Sequence, residues 1–229
     1  MRLGERLKTI AELVEPSARL ADIGTDHAYL PIYLIQNDII SWAVAGEMNK
    51  GPFNAAKEAI ERLKLSSKVS LRFGNGLSVV SPGEVDTAVI AGMGATTIIG
   101  ILQEQPEVVS SLKRLILQPM VAAPLVRCWL TANGWKLVKE KLVIDDGKLY
   151  EIIVAEHGQS PEFEPIIYEI GPILWKERPP LLAVHIDQLI VQVKRILNEM
   201  RSGTDFENSS KYDEYTEKLR QLEAQKACL

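Results

Sequence analysis

The sequence predicts an α/β fold: a doubly wound, mostly parallel sheet ending in a C-terminal antiparallel hairpin strand, followed by a small α-helical coiled-coil domain. Three observations lead there. Short apolar runs alternate with helical periodicities from residue 2 to residue 132, the pattern of a parallel sheet covered on both faces. Two extended runs then flank Asp145, Asp146 and Gly147, a hairpin turn signal. Beyond residue 160 the strands stop and two helical stripes take their place.

Each element carries its own signal. Leu3, Leu7, Ile10 and Val14 share one face of an opening helix over 2–14, closed by Pro16. A first strand over 19–23 runs into the turn GTDHA (24–28), and a helix comes next over 29–36, with Pro31 tolerated in its first turn. Residues 42–45 form the second strand, ending at Gly46 and Glu47, and 51–63 form a helix with Phe53, Ala56, Ile60 and Leu63 inward. The third strand, 69–73, enters Gly74, Asn75 and Gly76; the fourth, 86–91, enters Gly92, Met93 and Gly94. A helix over 96–104 precedes Pro106, the fifth strand covers 114–118 and is stopped by Pro119, and 123–132 is helical. The hairpin pairs 136–144 with 148–155. Residues 160–165 read as a linker, and Pro172, Pro179 and Pro180 punctuate the segment after it. Ile186, Leu189, Val193, Ile196 and Met200 form one stripe over 181–200; Tyr212, Tyr215, Leu219 and Leu222 form another over 208–225, with a polar stretch at 202–205 between them. An antiparallel helical hairpin with a narrow apolar seam is expected. The expected domains are 1–159 and 160–229.

Composition narrows the function classes. With 229 residues, 46% hydrophobic and 24% charged, the chain fits one α/β domain plus an addition and reads as an ordinary soluble protein. No apolar run reaches the roughly 20 residues of a membrane span. The charged start MRLGERLKTI does not read as a signal peptide. Cys128 and Cys228 lie far apart, which suits a reduced, cytoplasmic protein and no metal site. The net charge of −4 argues against a dedicated nucleic-acid binder, although local charge decides more than the sum. The basic residues are scattered: Arg2, Arg6 and Lys8, then Lys136, Lys139 and Lys141, then Lys194 and Arg195. They read as solvated surface, with Lys194 and Arg195 as candidates to meet a polyanion.

Chemistry is expected at the carboxyl ends of the strands, where doubly wound sheets bind ligands. Four successive strand ends carry polar or glycine-rich turns. In the first, Asp22 ends the strand, Gly24 lets the backbone approach a ligand, and Thr25, Asp26 and His27 come next. The full GxGxxG fingerprint is missing, and carboxylates there oppose a pyrophosphate but suit an ammonium. Capping of the next helix by Asp22 and Asp26 is the plainer alternative. Glu47 is placed to accept from both hydroxyls of a ribose. Asn75 could meet an adenine amino group, or its glycines simply turn into a helix. The turn from Gly92 to Thr97 is a phosphate cradle or, preferably, a loop that lets a flat base approach closely. Gln118 and Pro119 contact the same base or merely end a strand. His27 is either a base near neutral pH or, the preferred reading, an orienting group at a helix start.

The segments ADIGTDHAYLP (21–31), AGE (45–47), IAGMG (90–94), LQP (117–119) and LYEI (149–152) make the chain resemble the bacterial tRNA adenine-N1-methyltransferases that modify adenosine 22 in the D-loop. The spacing is in register over about 2–157, and the helical tail also fits. Asn75, Ala95 and Met120 depart from the residues usual at their positions, where aspartate, glycine and asparagine are expected. The resemblance implies a Rossmann-like methyltransferase sheet, a coiled-coil C-terminal domain, S-adenosylmethionine as methyl donor without metal, and tRNA as acceptor. It implies donor contacts at Asp22, Gly24, Thr25, His27, Glu47, Asn75, Gly76, Ala91, Gly92 and Met93. It implies a base pocket at Gly92, Met93, Gly94, Gln118, Pro119 and Tyr29, with Asp26, His27 or Gln118 as catalytic groups that hold the adenine amino group or take a proton.

Adenine N1 carries an in-plane lone pair, so direct in-line transfer needs no prior deprotonation and relies on positioning. N1 normally faces a base-pairing partner, so the nucleotide must be unpaired or turned outward. Two other readings stand beside this one: a methyltransferase acting on a small molecule or protein, and a donor-binding module without catalysis. A monomer is expected.

Overall fold

The computed structural model describes residues 3–201 and 210–229. The expected polar stretch at 202–205, Arg2 and the first two residues of the last expected helix lie outside them. Two compact units divide the chain at Pro161/Glu162.

The first unit holds seven strands: β1 (Leu20–Ile23), β2 (Ala43–Glu47), β3 (Val69–Phe73), β4 (Thr87–Met93), β5 (Arg114–Pro119), β6 (Trp135–Asp145) and β7 (Lys148–His157). Their order is β3-β2-β1-β4-β5-β7-β6. The pairs from β3 to β5 are parallel, while β7 runs antiparallel against both β5 and β6. β1 and β2 are buried throughout, as continuous apolar runs under helices on both faces should be. The chain order reverses between β1 and β4, so the switch point lies at their carboxyl ends. The hairpin turns on Asp146 (φ 47°) and Gly147 (φ 73°), two left-handed residues as a tight type I′ loop requires.

The helices of this unit are α1 (Glu5–Ala11), α2 (Tyr29–Gln36), α3 (Lys50–Arg62), α4 (Ala95–Glu104), α5 (Pro106–Ser111) and α6 (Ala123–Ala132). α1 is shorter than its periodicity predicts. After Ala11 the chain tightens into turns, with the Leu13 and Val14 amides donating to Ile10 and Ala11, and Pro16 has no amide with which to continue. Leu3 and Val14 are still buried, so the apolar spacing outruns the helix itself. Pro106 starts α5 rather than only ending α4, because proline fits the first helical position. A short 3-10 helix, Gly76–Val79, comes after β3. Arg72 on β3 holds the segment after it, donating to the Val79 carbonyl (2.7 Å) and to both oxygens of Glu84. That guanidinium keeps the Glu84 carboxyl down at about 2.

β4 differs most from expectation. It continues past Ala91 through a bulge at Gly92, and Met93 then pairs with Pro119. Gly92 takes a φ of 76°, which glycine tolerates without strain.

On the α6 face of the sheet lies a buried ionic cluster. Arg127 donates to Glu140 on β6 (2.6 Å) and to Glu151 on β7. Burial opposes its charge, but the two carboxylates outweigh burial and hold its pKa above the ordinary arginine value.

The second unit consists of α7 (Pro165–Ile170), α8 (Pro172–Glu177), α9 (Leu182–Arg201) and α10 (Ser210–Ala227). Two prolines read as linker or punctuation instead occupy first-turn positions of α7 and α8. α9 and α10 are antiparallel: Asp187 pairs with Lys226, Lys194 with Glu223, and Arg201 with Tyr212. The buried stripe of α9 is Leu182, Ile186, Ile190, Val193 and Leu197, with Leu189, Ile196 and Met200 only half-buried beside it. Lys194 is thus paired across the hairpin and Arg195 with Glu199 on its own helix. No described helix is long and apolar enough to cross a membrane.

Candidate active site

The carboxyl ends of β1 to β4 open onto a cavity of about 300 Å³. Gly24 and Asp26 come from the β1 turn, Glu47, Met48, Asn49 and Pro52 from the β2 end and α3, Asn75 and Gly76 from the β3 end, and Ala91, Gly92, Met93, Thr97 and Ile101 from β4 and α4. Four strand ends that sequence reasoning singled out therefore meet at one place.

The β1 turn is strained and held tightly. Gly24 and Thr25 donate their amides to the Gly46 carbonyl (2.9 and 3.0 Å), tying β1 to β2. Gly24 has a φ of 74°, which favours glycine, and an added Cβ would lie 2.3 Å from the Met93 Cε, so glycine here leaves room for the tip of the Met93 side chain. Asp26 and Ala28 are left-handed at 52° and 56°, conformations that cost alanine and aspartate energy and gather at functional sites. The first residue before α2 is Ala28, with no side-chain cap, so Asp22 and Asp26 do not cap that helix.

Asp26 forms part of the cavity wall with its carboxylate exposed. Asp22 lies behind the wall, only 6% exposed, and accepts the Thr25 hydroxyl at 2.6 Å. Burial pushes the Asp22 carboxyl up to about 6; the Thr25 bond opposes this and the nearby Glu47 charge adds to it. Its folded pKa exceeds its unfolded value, so the fold prefers the protonated form. That preference is fully present below pH 4 and is lost as pH rises through about 6. An Asp22→Asn variant keeps the Thr25 acceptor and escapes this penalty. It should be more stable than wild type by roughly 3 kcal/mol at pH 8 and about half of that at pH 5. Thermal melts of both proteins at the two pH values measure it; a gap that does not widen with pH would refute the assignment.

Glu47 is the pivot of the cavity. It is buried, and its Oε1 accepts the amides of Met48 (2.9 Å) and Asn49 (2.8 Å) and the Asn49 side chain (3.1 Å). Among the described residues its Oε2 accepts only the Asp26 amide, at 3.3 Å. A hydroxyl can approach Oε2, whereas a second one must displace the Asn49 amide from Oε1. Asn75 is exposed at the rim, with its amide 3.4 Å from Glu104.

The expected base pocket is arranged differently from its sequence reading. Gln118 has no exposed surface. Its Oε1 accepts Arg6 (2.7 Å) and the Gly92 amide (3.1 Å), and its Nε2 donates to the Pro119 carbonyl (2.9 Å). With both ends engaged, it fixes the Gly92 bulge rather than turning a free amide toward the cavity. Thr25 lies behind the cavity wall, its buried hydroxyl donating to Asp22. His27 and Tyr29 stack with ring centroids 5.0 Å apart, outside the cavity wall, and Tyr29 is 41% exposed. Pro119 is buried; Gly94 precedes α4 beside Val121.

Sequence reasoning missed Met48, Asn49 and Pro52, although an asparagine and then a proline just after a strand make a helix-start signature. Arg6, which donates to Gln118 and stands over the Tyr150 ring, reads in the sequence only as scattered surface charge, and Tyr150 only as part of the LYEI segment.

A switch-point cavity with an acidic residue closing β2, beside a sheet whose antiparallel β7 is inserted next to β5, defines a Rossmann-like methyltransferase domain. The magnesium protoporphyrin IX methyltransferase of Synechocystis PCC 6803 shares this fold, with a TM-score of 0.56 at 15% identity over 67% of this chain and 79% of that one. The profile of the family described as TrmK, tRNA (adenine(22)-N(1))-methyltransferase, matches residues 20–224. The tRNA (adenine(22)-N(1))-methyltransferase of Bacillus subtilis strain 168 is 37% identical over 228 residues, 97% of this chain and 96% of the relative. The chain belongs to the tRNA (adenine(22)-N(1))-methyltransferase family. Two solved structures extend the likeness along the whole chain. Streptococcus pneumoniae Sp1610 in complex with S-adenosyl-L-methionine has a TM-score of 0.87 at 32% identity, covering 98% of this chain and 99% of that one. M. capricolum TrmK in complex with S-adenosyl-homocysteine has a TM-score of 0.85 at 27% identity, covering 99% of each.

Proposed function

We propose that the chain binds S-adenosylmethionine in the switch-point cavity and methylates N1 of adenosine 22 in the D-loop of tRNA. The observation that carries this reading is Glu47, buried at the end of β2 with Oε2 held by a single long contact, in a chain of this family.

The residues present fit the donor. Glu47 Oε2 takes a ribose hydroxyl, Asp26 faces the ammonium, and Asn75 stands at the adenine end with Ile101 and Pro52 supplying apolar wall. Asp22 supports the cationic donor from behind through its charge rather than by contact. Gly24 and Gly92 keep side chains out of the path between donor and base. S-adenosylmethionine, when bound, supplies a methyl group that adenine N1 takes through its lone pair, the S–CH3 bond pair returning to sulfur. This chain needs no group to remove a proton before that step. Gln118 holds the Gly92 bulge, Met93 backs the β1 turn, and Tyr29 with His27 presents a stacked aromatic face to nucleotides near the target. The tRNA acceptor supports the cytoplasm as its place.

Purified protein, unmodified tRNA transcripts and methyl-labelled donor test the reading. Label should appear as 1-methyladenosine in the D-loop. Donor binding with no transfer to any tRNA would overturn the acceptor and keep the cavity.

A further inference from the structure

Arg6 is a cation of the first unit that the donor site leaves unexplained. It lies on α1, and Ile10 and Ala11 of the same helix are buried in the core with Val143 and Ile152 of the hairpin. The helix is therefore fixed on the sheet, and the half-buried guanidinium is fixed with it. One nitrogen donates to Gln118 Oε1 at 2.7 Å, and the Arg6 Cζ lies 5.5 Å from the centre of the Tyr150 ring. Both partners are neutral. Among the described residues no carboxylate pairs with Arg6, whereas Arg19, Arg72, Arg114 and Arg127 of the same unit all have one. The same nitrogen would lie 3.6 Å from a Cβ at Gly92, whose exposed backbone is part of the cavity wall.

A guanidinium offers five donors, and Gln118 occupies one of them. Holding an uncompensated charge at a net-negative protein's active edge invites an anion, and the acceptor strand presents a phosphate at each nucleotide. We infer that Arg6 grips a backbone phosphate of the tRNA at or next to the target adenosine, and so sets how far that base enters toward Gly92. The proposal rests on tRNA as acceptor. It makes Arg6 a positioning residue: phosphate contacts fix register and orientation while other groups read the base. Gln118 then serves two ends, holding the bulge that admits the base and the arginine that holds its strand.

The test uses the full chain as wild type, Arg6→Gln and Arg6→Lys, with unmodified tRNA transcript binding measured across a series of salt concentrations. Arg6→Gln should weaken tRNA binding by about 10-fold or more. It should also make the slope of log affinity against log salt shallower by about 0.7–0.9, one phosphate contact. Donor affinity should stay within about twofold, as no contact of Arg6 reaches Glu47 or Asp26. Arg6→Lys should keep the slope while losing part of the affinity, because the point charge stays and the fork does not. Weakened binding with an unchanged slope would show that Arg6 only braces Gln118, and overturns the proposal, as does unchanged binding. If Arg6→Gln damages the fold and loses donor binding as well, the lysine variant decides: a shallower slope there overturns the proposal. A wild type that neither binds nor methylates tRNA overturns the acceptor reading itself, whereas a normal wild type beside an indifferent Arg6→Gln overturns this inference alone.

Discussion

Glu47→Ala is expected to weaken S-adenosylmethionine binding by about 100-fold, the loss of one hydrogen bond to a charged acceptor together with the wall that the side chain holds. The side chain does two things at once. It gives the ligand an acceptor at Oε2, and it gathers the amides of Asp26, Met48 and Asn49, three donors from two different turns. Without it the β1 and β2 turns lose the group that joins them, so the wall moves as well as the contact. Glu47→Gln separates the two effects. An amide oxygen can still accept from Met48 and Asn49, but the amide nitrogen then faces the Asp26 N–H, donor against donor. A smaller loss, about 10-fold, is expected there. Calorimetric titration with the donor measures both, and circular dichroism checks that the sheet persists. Wild-type affinity in the alanine variant would remove Glu47 from the site.

The parts of the site that were legible in the sequence are those whose chemistry lies within a few consecutive residues. The turns after β1, β2, β3 and β4 announce themselves because a strand end, a glycine and a polar side chain stand together, and the alternating order alone places them at one edge. Contacts between distant segments were not legible. Arg6 and Gln118 are 112 residues apart, and nothing in either neighbourhood marks them as partners. For Gln118 the sequence marks the place, at the end of β5, but not the partners, since only the bulge at Gly92 creates the amide that it satisfies. Prolines misled in a systematic way. At 106, 165 and 172 each begins a helix, and a residue that ends one element and one that starts the next look alike without their dihedrals. The stripe on α9 shifted for a different reason: Leu189 and Ile190 are adjacent and both apolar, so periodicity alone allows either to face inward.

Arg127→Met is expected to destabilise the catalytic unit by about 3–5 kcal/mol, because it leaves Glu140 and Glu151 without the cation between them in the interior. A loss of that size corresponds to a fall of roughly 10 °C in melting temperature for a unit of this length. This cluster is also one the sequence conceals. Lys139, Glu140 and Lys141 look like a solvated charge run, but the register shift between Leu137 and Lys139 turns Glu140 inward beneath α6. The energetic direction comes from burial: Glu140 has almost no exposed surface, so its charge has no water to replace the guanidinium. Adding Glu140→Gln and Glu151→Gln to Arg127→Met should recover part of the loss at pH 8, since no buried charge then remains in the cluster. Melts within about 2 °C of wild type at pH 8 for the single variant would mean that the cluster is hydrated rather than buried. Function is tied to this outcome through Tyr150, the immediate neighbour of Glu151 on β7 and the aromatic partner of Arg6. Loosening β7 should therefore weaken tRNA binding before donor binding, because the donor's wall is built from the opposite half of the sheet.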